Sequence, residues 1–167
     1  LPTKVYLYLP ILIHATFELD SARNYIPATE KNKFIFDKII EYFKTIIPEY
    51  TKTGCNWVPY TLLEYTHQSI DIEKNFSFYS KINSLRNSVK IIPCLDNTYK
   101  TISNAIFLNN EIAKYLEFLQ TEYKIKLPER FNFVAKSNPY NNLITNNNDI
   151  GLNDISQLSE IISGHKN

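Results

Sequence analysis

Between Lys4 and Leu19 the side chains alternate with period two, placing Ile13, Ala15, Phe17 and Leu19 on one face and His14, Thr16 and Glu18 on the other. The pattern predicts two strand segments, Lys4 to Leu9 and Ile11 to Leu19, on either side of Pro10. The period then lengthens. From Glu30 to Ile47 the apolar residues Phe36, Ile39, Ile40, Phe43, Ile46 and Ile47 recur at helical intervals with Lys38, Glu41 and Lys44 between them. Thr29 is placed to cap this helix and Pro48 to stop it. A linker with Gly54 and Pro59 follows, in which Trp57, Leu62, Leu63 and Tyr65 are packing groups.

A second helix is predicted over Phe76 to Asn87, burying Phe76, Tyr79, Ile82 and Leu85. Val89 to Ile92 predicts a strand ended by Pro93, with Asp96-Asn97 reversing the chain into Thr98 to Ile102. Ser103 or Asn104 starts a short helical turn, and Glu111 to Tyr123 and Leu152 to Ser163 are amphipathic helices. Strands and helices that interleave in this way predict an α/β fold, with α+β as the alternative: a small mixed sheet packed with amphipathic helices. The expected organisation is a domain over 1–137, an Asn-rich loop over 138–150 and a C-terminal helix over 151–167.

Composition narrows the functional classes. With 18 basic and 17 acidic residues spread evenly along 167 positions, there is no electrostatic footprint for a nucleic-acid backbone or an anionic membrane. The longest apolar runs, Val5 to Leu9 and Ile11 to Ile13, fall far short of the roughly 20 residues a membrane helix needs, so a soluble protein is expected. Cys55 and Cys94 are isolated and are expected as free thiols, which suits a reducing cytoplasm. The chain starts at Leu1 and has no Met, which is expected of a piece from inside a longer polypeptide; methionines written as a modified residue type would be the other account.

The candidate chemistry is sparse. Nucleotide cradles need glycine for close backbone approach, yet Gly54, Gly151 and Gly164 are far apart and in no phosphate-binding fingerprint. His14, His67 and His165 have no metal-ligand spacing, so no metal is expected, and no nucleophile elbow anchors a hydrolase triad. The carboxylates Glu18, Asp20 and Glu30 near the first strand are expected to be solvated charges.

The densest polar constellation runs from His14 to Asn24, where a strand delivers alternating polar groups and opens into a loop carrying Arg23. Arginine is a planar five-donor cation suited to a phosphate or a carboxylate. The residues themselves leave a structural alternative open: Asp20, Ser21 and Asn24 capping a turn while Arg23 pairs with an acidic neighbour.

Leu12-Ile13-His14-Ala15-Thr16-Phe17-Glu18-Leu19-Asp20-Ser21-Ala22-Arg23-Asn24 resembles a pattern that follows the ATP-binding domain in sacsin-like proteins of the GHKL superfamily of gyrase, heat-shock chaperone, histidine kinase and MutL ATPases. There an apolar strand bearing a His leads to a Phe-x-Leu-x-Ser-x-Arg type motif. Val89-Lys90-Ile91-Ile92-Pro93, through Tyr99 to Ile106, is similar to the strand, proline and turn, then Ser-x-x-Ala element of the same proteins, and the resemblance covers about residues 1 to 108.

The resemblance implies a transducer or middle domain of the chaperone type, and such domains supply a basic residue to the terminal phosphate of ATP held next door. Carried over, Arg23 is that residue, with Ser21 and His14 as local support. The ATP-binding domain itself, with its Mg²⁺-holding acidic helix and Gly-rich lid, is not in the sequence, so ATP and Mg²⁺ are expected only with that missing domain. The expected function is therefore coupling of a neighbouring domain's ATP state to downstream regions of the same polypeptide, with protein clients as further partners. The isolated chain is not expected to be an enzyme, although its parent would be an ATPase. A protein-interaction module built on exposed Tyr and Phe groups is the alternative.

Overall fold

The computed structural model describes residues 5–108, 110–127, 131, 134–137, 156, 159, 160 and 163. Two compact units make up the chain, Leu1–Gly54 with Val58–Ile91, and Cys55–Trp57 with Ile92–Asn167. The division falls inside the span 1–137 taken above as one domain. The Asn-rich 138–150 lies outside the described residues. Of 151–167, Ser156, Ser159, Glu160 and Ser163 are described, each helical and exposed.

In the first unit the period-two run is extended, and its burial alternates as its hydrophobicity does: odd positions from Val5 to Leu19 are half-buried and even positions from Tyr6 to Glu18 exposed. It belongs to no strand pair, which corrects the expected two strands of a mixed sheet. Phe17 packs on α1's Phe36 with ring centroids 5.3 Å apart, and at Glu18 one side chain stands in for a ladder. Asn32, 0% exposed, accepts from the Glu18 N–H at 2.9 Å and donates to the Glu18 carbonyl at 2.8 Å, as an antiparallel strand residue would. The same amide nitrogen donates to the Pro27 carbonyl at 2.9 Å.

Asn32 belongs to α1 (Glu30–Lys52), whose buried positions Asn32, Phe36, Ile40, Phe43 and Ile47 form one helical stripe. The Thr29 side chain caps the helix by accepting from the Asn32 N–H at 3.3 Å. Pro48 does not stop α1, contrary to expectation. The hydrogen bond it forfeits is the one to the carbonyl of Lys44, an exposed residue, where water can take the freed oxygen.

After α2 (Val58–Thr61) come α3 (Ile70–Phe76) and α4 (Phe78–Ser88), where a single helix from Phe76 was expected. Ser77 separates them in the left-handed region, with φ 50°, and its N–H donates to the Glu73 carbonyl to close α3. Their apolar residues meet on Phe36, whose ring stacks on Phe76 at 4.3 Å and packs edge-on against Phe78 at 5.1 Å. Tyr79, Ile82 and Leu85 of α4 complete this core.

The second unit holds the sheet, two antiparallel strands β1 (Ile92–Pro93) and β2 (Tyr99–Lys100) with Ile92 opposite Lys100 and Pro93 opposite Tyr99. Asp96-Asn97 makes the turn, as its chemistry requires. Asn97 takes φ 58°, and Asp96 Oδ1 accepts from the Thr98 N–H at 2.9 Å. Val134 and Ala135 add isolated bridges to Ile106 and Cys94. α5 (Asn110–Glu122) buries Ala113, Leu116 and Leu119, the two leucines in a core with Leu95, Ile106, Ile125, Leu127, Phe131 and Val134. Among the described residues the protein is thus mixed and mostly helical, an α+β arrangement with a two-stranded antiparallel sheet in place of the expected mixed one.

Replacing Asn32 by Ala keeps the backbone N–H that Thr29 caps but orphans the Glu18 and Pro27 groups its side chain serves. We expect a loss of about 2–4 kcal/mol in urea-melt stability, since each stranded buried group costs about 1–3 kcal/mol. Backbone amides over 11–17, which lack ladder partners among the described residues, should exchange with deuterium far faster than the Glu18 amide held by Asn32.

Candidate functional site

The extended segment ends where Asn32 grips Glu18, and the chain returns to the same side chain at Pro27, so the intervening loop is closed at its base. Asp20 organises its interior. The Asp20 Oδ1 accepts from the Tyr25 N–H at 2.8 Å and Oδ2 from the Ala22 N–H at 3.2 Å. Its backbone closes the ring, the Asp20 N–H donating to the Tyr25 carbonyl at 3.2 Å and the Arg23 N–H to the Asp20 carbonyl at 3.0 Å.

Arg23 sits in this loop with φ 57°, left-handed and exposed. A side chain larger than Asn at such a φ costs about 1 kcal/mol or more, which the Asp20 cradle offsets. Ser21 is exposed on the same turn, and His14 is exposed on the extended segment that leads to it. The structure thus brings Ser21 and Arg23 together in one loop and places His14 upstream of it. Of the groups expected to cap the turn, Asp20 does so through both carboxylate oxygens.

Glu18 and Glu30, the other carboxylates singled out, have different partners: Glu18 meets Asn32 through its backbone, and the Glu30 side chain pairs with Lys33 at 2.7 Å on the surface of α1. Sequence reasoning missed Asn32, although a signal existed: it is a polar residue on the apolar stripe of α1. Also missed was Arg86 on α4, whose guanidinium lies 5.9 Å from the rings of both Tyr60 and Tyr65 and donates to Asn83 Oδ1 at 2.7 Å. Its Nε is buried without a hydrogen-bond partner. Burial raises the carboxyl pKa of nearby Glu64, and the Arg86 charge opposes that rise.

In the second unit, Cys55 and Cys94 are both free thiols. The Cys55 Sγ donates to the Thr98 carbonyl at 3.3 Å, and Lys136 Nζ donates to the Cys55 carbonyl at 3.2 Å. Burial pushes the Cys94 thiol up to about 12, with Asp96 adding to the rise, and burial likewise raises Cys55 against the pull of Lys136. Neither is an activated nucleophile, because the reactive form is the thiolate. Among the described residues there is no group of three His, Cys, Asp or Glu side chains able to hold a metal ion, and no helix long and apolar enough to cross a membrane.

No family model, curated protein or solved structure matches the chain.

The thiol environments give a direct expectation. With the native protein at pH 7, an aromatic disulfide reagent should leave Cys94 unmodified and label Cys55 only slowly, whereas both should react within the dead time after urea unfolding.

Proposed function

We propose that the chain is an accessory, coupling domain of a larger sacsin-like, ATP-dependent protein, in which Arg23 meets the γ-phosphate of ATP held by a neighbouring domain. The observation that carries this is the way Arg23 is presented. It is an exposed residue on a loop stapled at its base by Asn32 and braced inside by Asp20, so the backbone that carries the cation is preorganised. Preorganisation matters because a charge aimed at a developing phosphate charge lowers a barrier most when nothing has to rearrange as the reaction proceeds. Ser21 shares the loop and is a second donor to the same ligand, and His14 supports the approach from the extended segment. ATP and Mg²⁺ belong to the neighbouring domain, and this chain contributes the sensor and the helical body that transmits its state.

One observation favours a second reading, a protein-interaction module without a nucleotide role. α5 leaves Ile112, Tyr115 and Phe118 exposed beside its buried residues, and Phe118 pairs edge-on with the exposed Tyr123 at 5.5 Å.

In the full-length parent, Arg23→Ala should slow ATP turnover by about 10²-fold, the scale for losing one preorganised donor, while ATP affinity changes little. Turnover equal to that of the parent with unaltered Arg23 would remove the phosphate-sensing role and leave the interaction module as the better account.

A further inference from the structure

A cavity of about 230 Å³ opens in the first unit between the start of the extended segment, the far side of the Asp20 loop and the first turn of α3. Its lining includes the aromatic residues Tyr6, Tyr8, Tyr25 and His67 together with the polar Asn24 and Asp71. Sites for drug-sized ligands run to about 300–1,000 Å³, so this space suits a headgroup rather than a nucleotide.

Among the described lining residues the formal charge is one-sided. Asp71 is the one carboxylate among the described lining residues, and no Lys or Arg is among them. Tyrosine faces carry the negative side of the ring quadrupole, so aromatic walls beside a lone carboxylate attract an organic cation and disfavour an anion. The N-terminus of α3 reaches the same space and would favour the opposite sign. The Ser69 hydroxyl accepts from the Ile72 N–H at 3.5 Å, however, and the first turn carries Asp71 and Glu73, which together blunt that positive end.

The rings are also held in place. Tyr8 and Tyr6 lie 6.3 Å apart at 38°, and His67 packs edge-on against Tyr8 at 5.4 Å and 83°. The Tyr25 hydroxyl accepts from Asn75 Nδ2 at 2.9 Å. Tyr8 has φ 56°, an outlier for a bulky side chain, and its carbonyl accepts from the Thr66 N–H at 3.3 Å. Strain of this kind persists where the side chain's position matters more than local comfort.

We propose that this cavity binds a quaternary or methylated ammonium group, with the tyrosine faces enclosing its methyls and Asp71 balancing its charge. The site does not depend on the coupling role given to Arg23. A free choline-like molecule and a trimethyl-lysine side chain present the same chemistry.

The test is a titration of the full chain with choline, with 3,3-dimethylbutan-1-ol as the neutral isostere, followed by the tyrosine and His67 ring resonances. Saturable choline binding in the millimolar range, at least about tenfold tighter than the alcohol, is expected. Asp71→Asn and Tyr8→Asn should each weaken it about tenfold. Asparagine is at ease in the left-handed region, so Tyr8→Asn removes the ring without opposing the backbone, and an unchanged urea midpoint checks the fold. A trimethyl-lysine peptide binding more tightly than both choline and its unmethylated counterpart would identify a peptide source; equal or weaker binding than choline would identify a free one. No saturable choline binding, equal binding of the alcohol, or full affinity in Asp71→Asn would overturn the proposal.

Discussion

One buried amide holds the first unit in its present form. Asn32 sits on the apolar stripe of α1, where an unpartnered polar group would cost about 1–3 kcal/mol, and it escapes that cost only if the Glu18 and Pro27 backbone comes to it. The requirement is mutual. The end of the extended segment has no strand to satisfy it, and Asn32 supplies one residue's worth of ladder. Helix, extended segment and loop therefore cannot be placed independently: moving any of them strands the others' polar groups.

That constraint explains how a loop with no glycine can hold a defined shape. Its two ends are pinned to the same side chain, which limits the conformations left for the residues between them. Asp20 then takes up the interior N–H groups of Ala22 and Tyr25. Arg23 and the cavity-lining Asn24 and Tyr25 lie on a single braced loop, so the two candidate recognition features of this unit share one mechanical support.

Helices with a continuous apolar stripe were legible in the sequence, because the stripe is set by residues only three or four apart. α1 and α5 begin within a residue of where periodicity places them. So was the Asp96-Asn97 turn, whose chemistry is local. The two strands expected over 4–19 were not, since an alternating pattern reports which side chains are buried and not what the backbone pairs with, whereas β2 falls inside the Thr98 to Ile102 run and β1 overlaps Val89 to Ile92 at Ile92. Ile13, Ala15 and Phe17 share one half-buried face as the pattern expects, yet they belong to no sheet, and Phe17 packs on Phe36 of α1. The split at Ser77 was hidden for a similar reason: Phe76 and Phe78 both reach Phe36, and the break between them lies in one residue's φ. Of the candidate site, Ser21 and Arg23 on one loop followed from adjacency, whereas the cavity joins Tyr8, Tyr25 and His67 from segments that only the fold brings together.

Glycine scarcity makes the left-handed residues informative. Where a chain must reverse, glycine does so without steric cost, but here Tyr8, Arg23, Ser77, Asn97 and Lys124 take positive φ with side chains attached. Ser77 ends α3, Asn97 is a turn asparagine, and Lys124 follows the end of α5, so each of these has a local account. Tyr8 ends no helix, and Arg23 could have been a glycine if the turn alone mattered. A cost of about 1–2 kcal/mol at each is tolerated where an aromatic face and a cation stand, and those are the side chains that recognition chemistry would use.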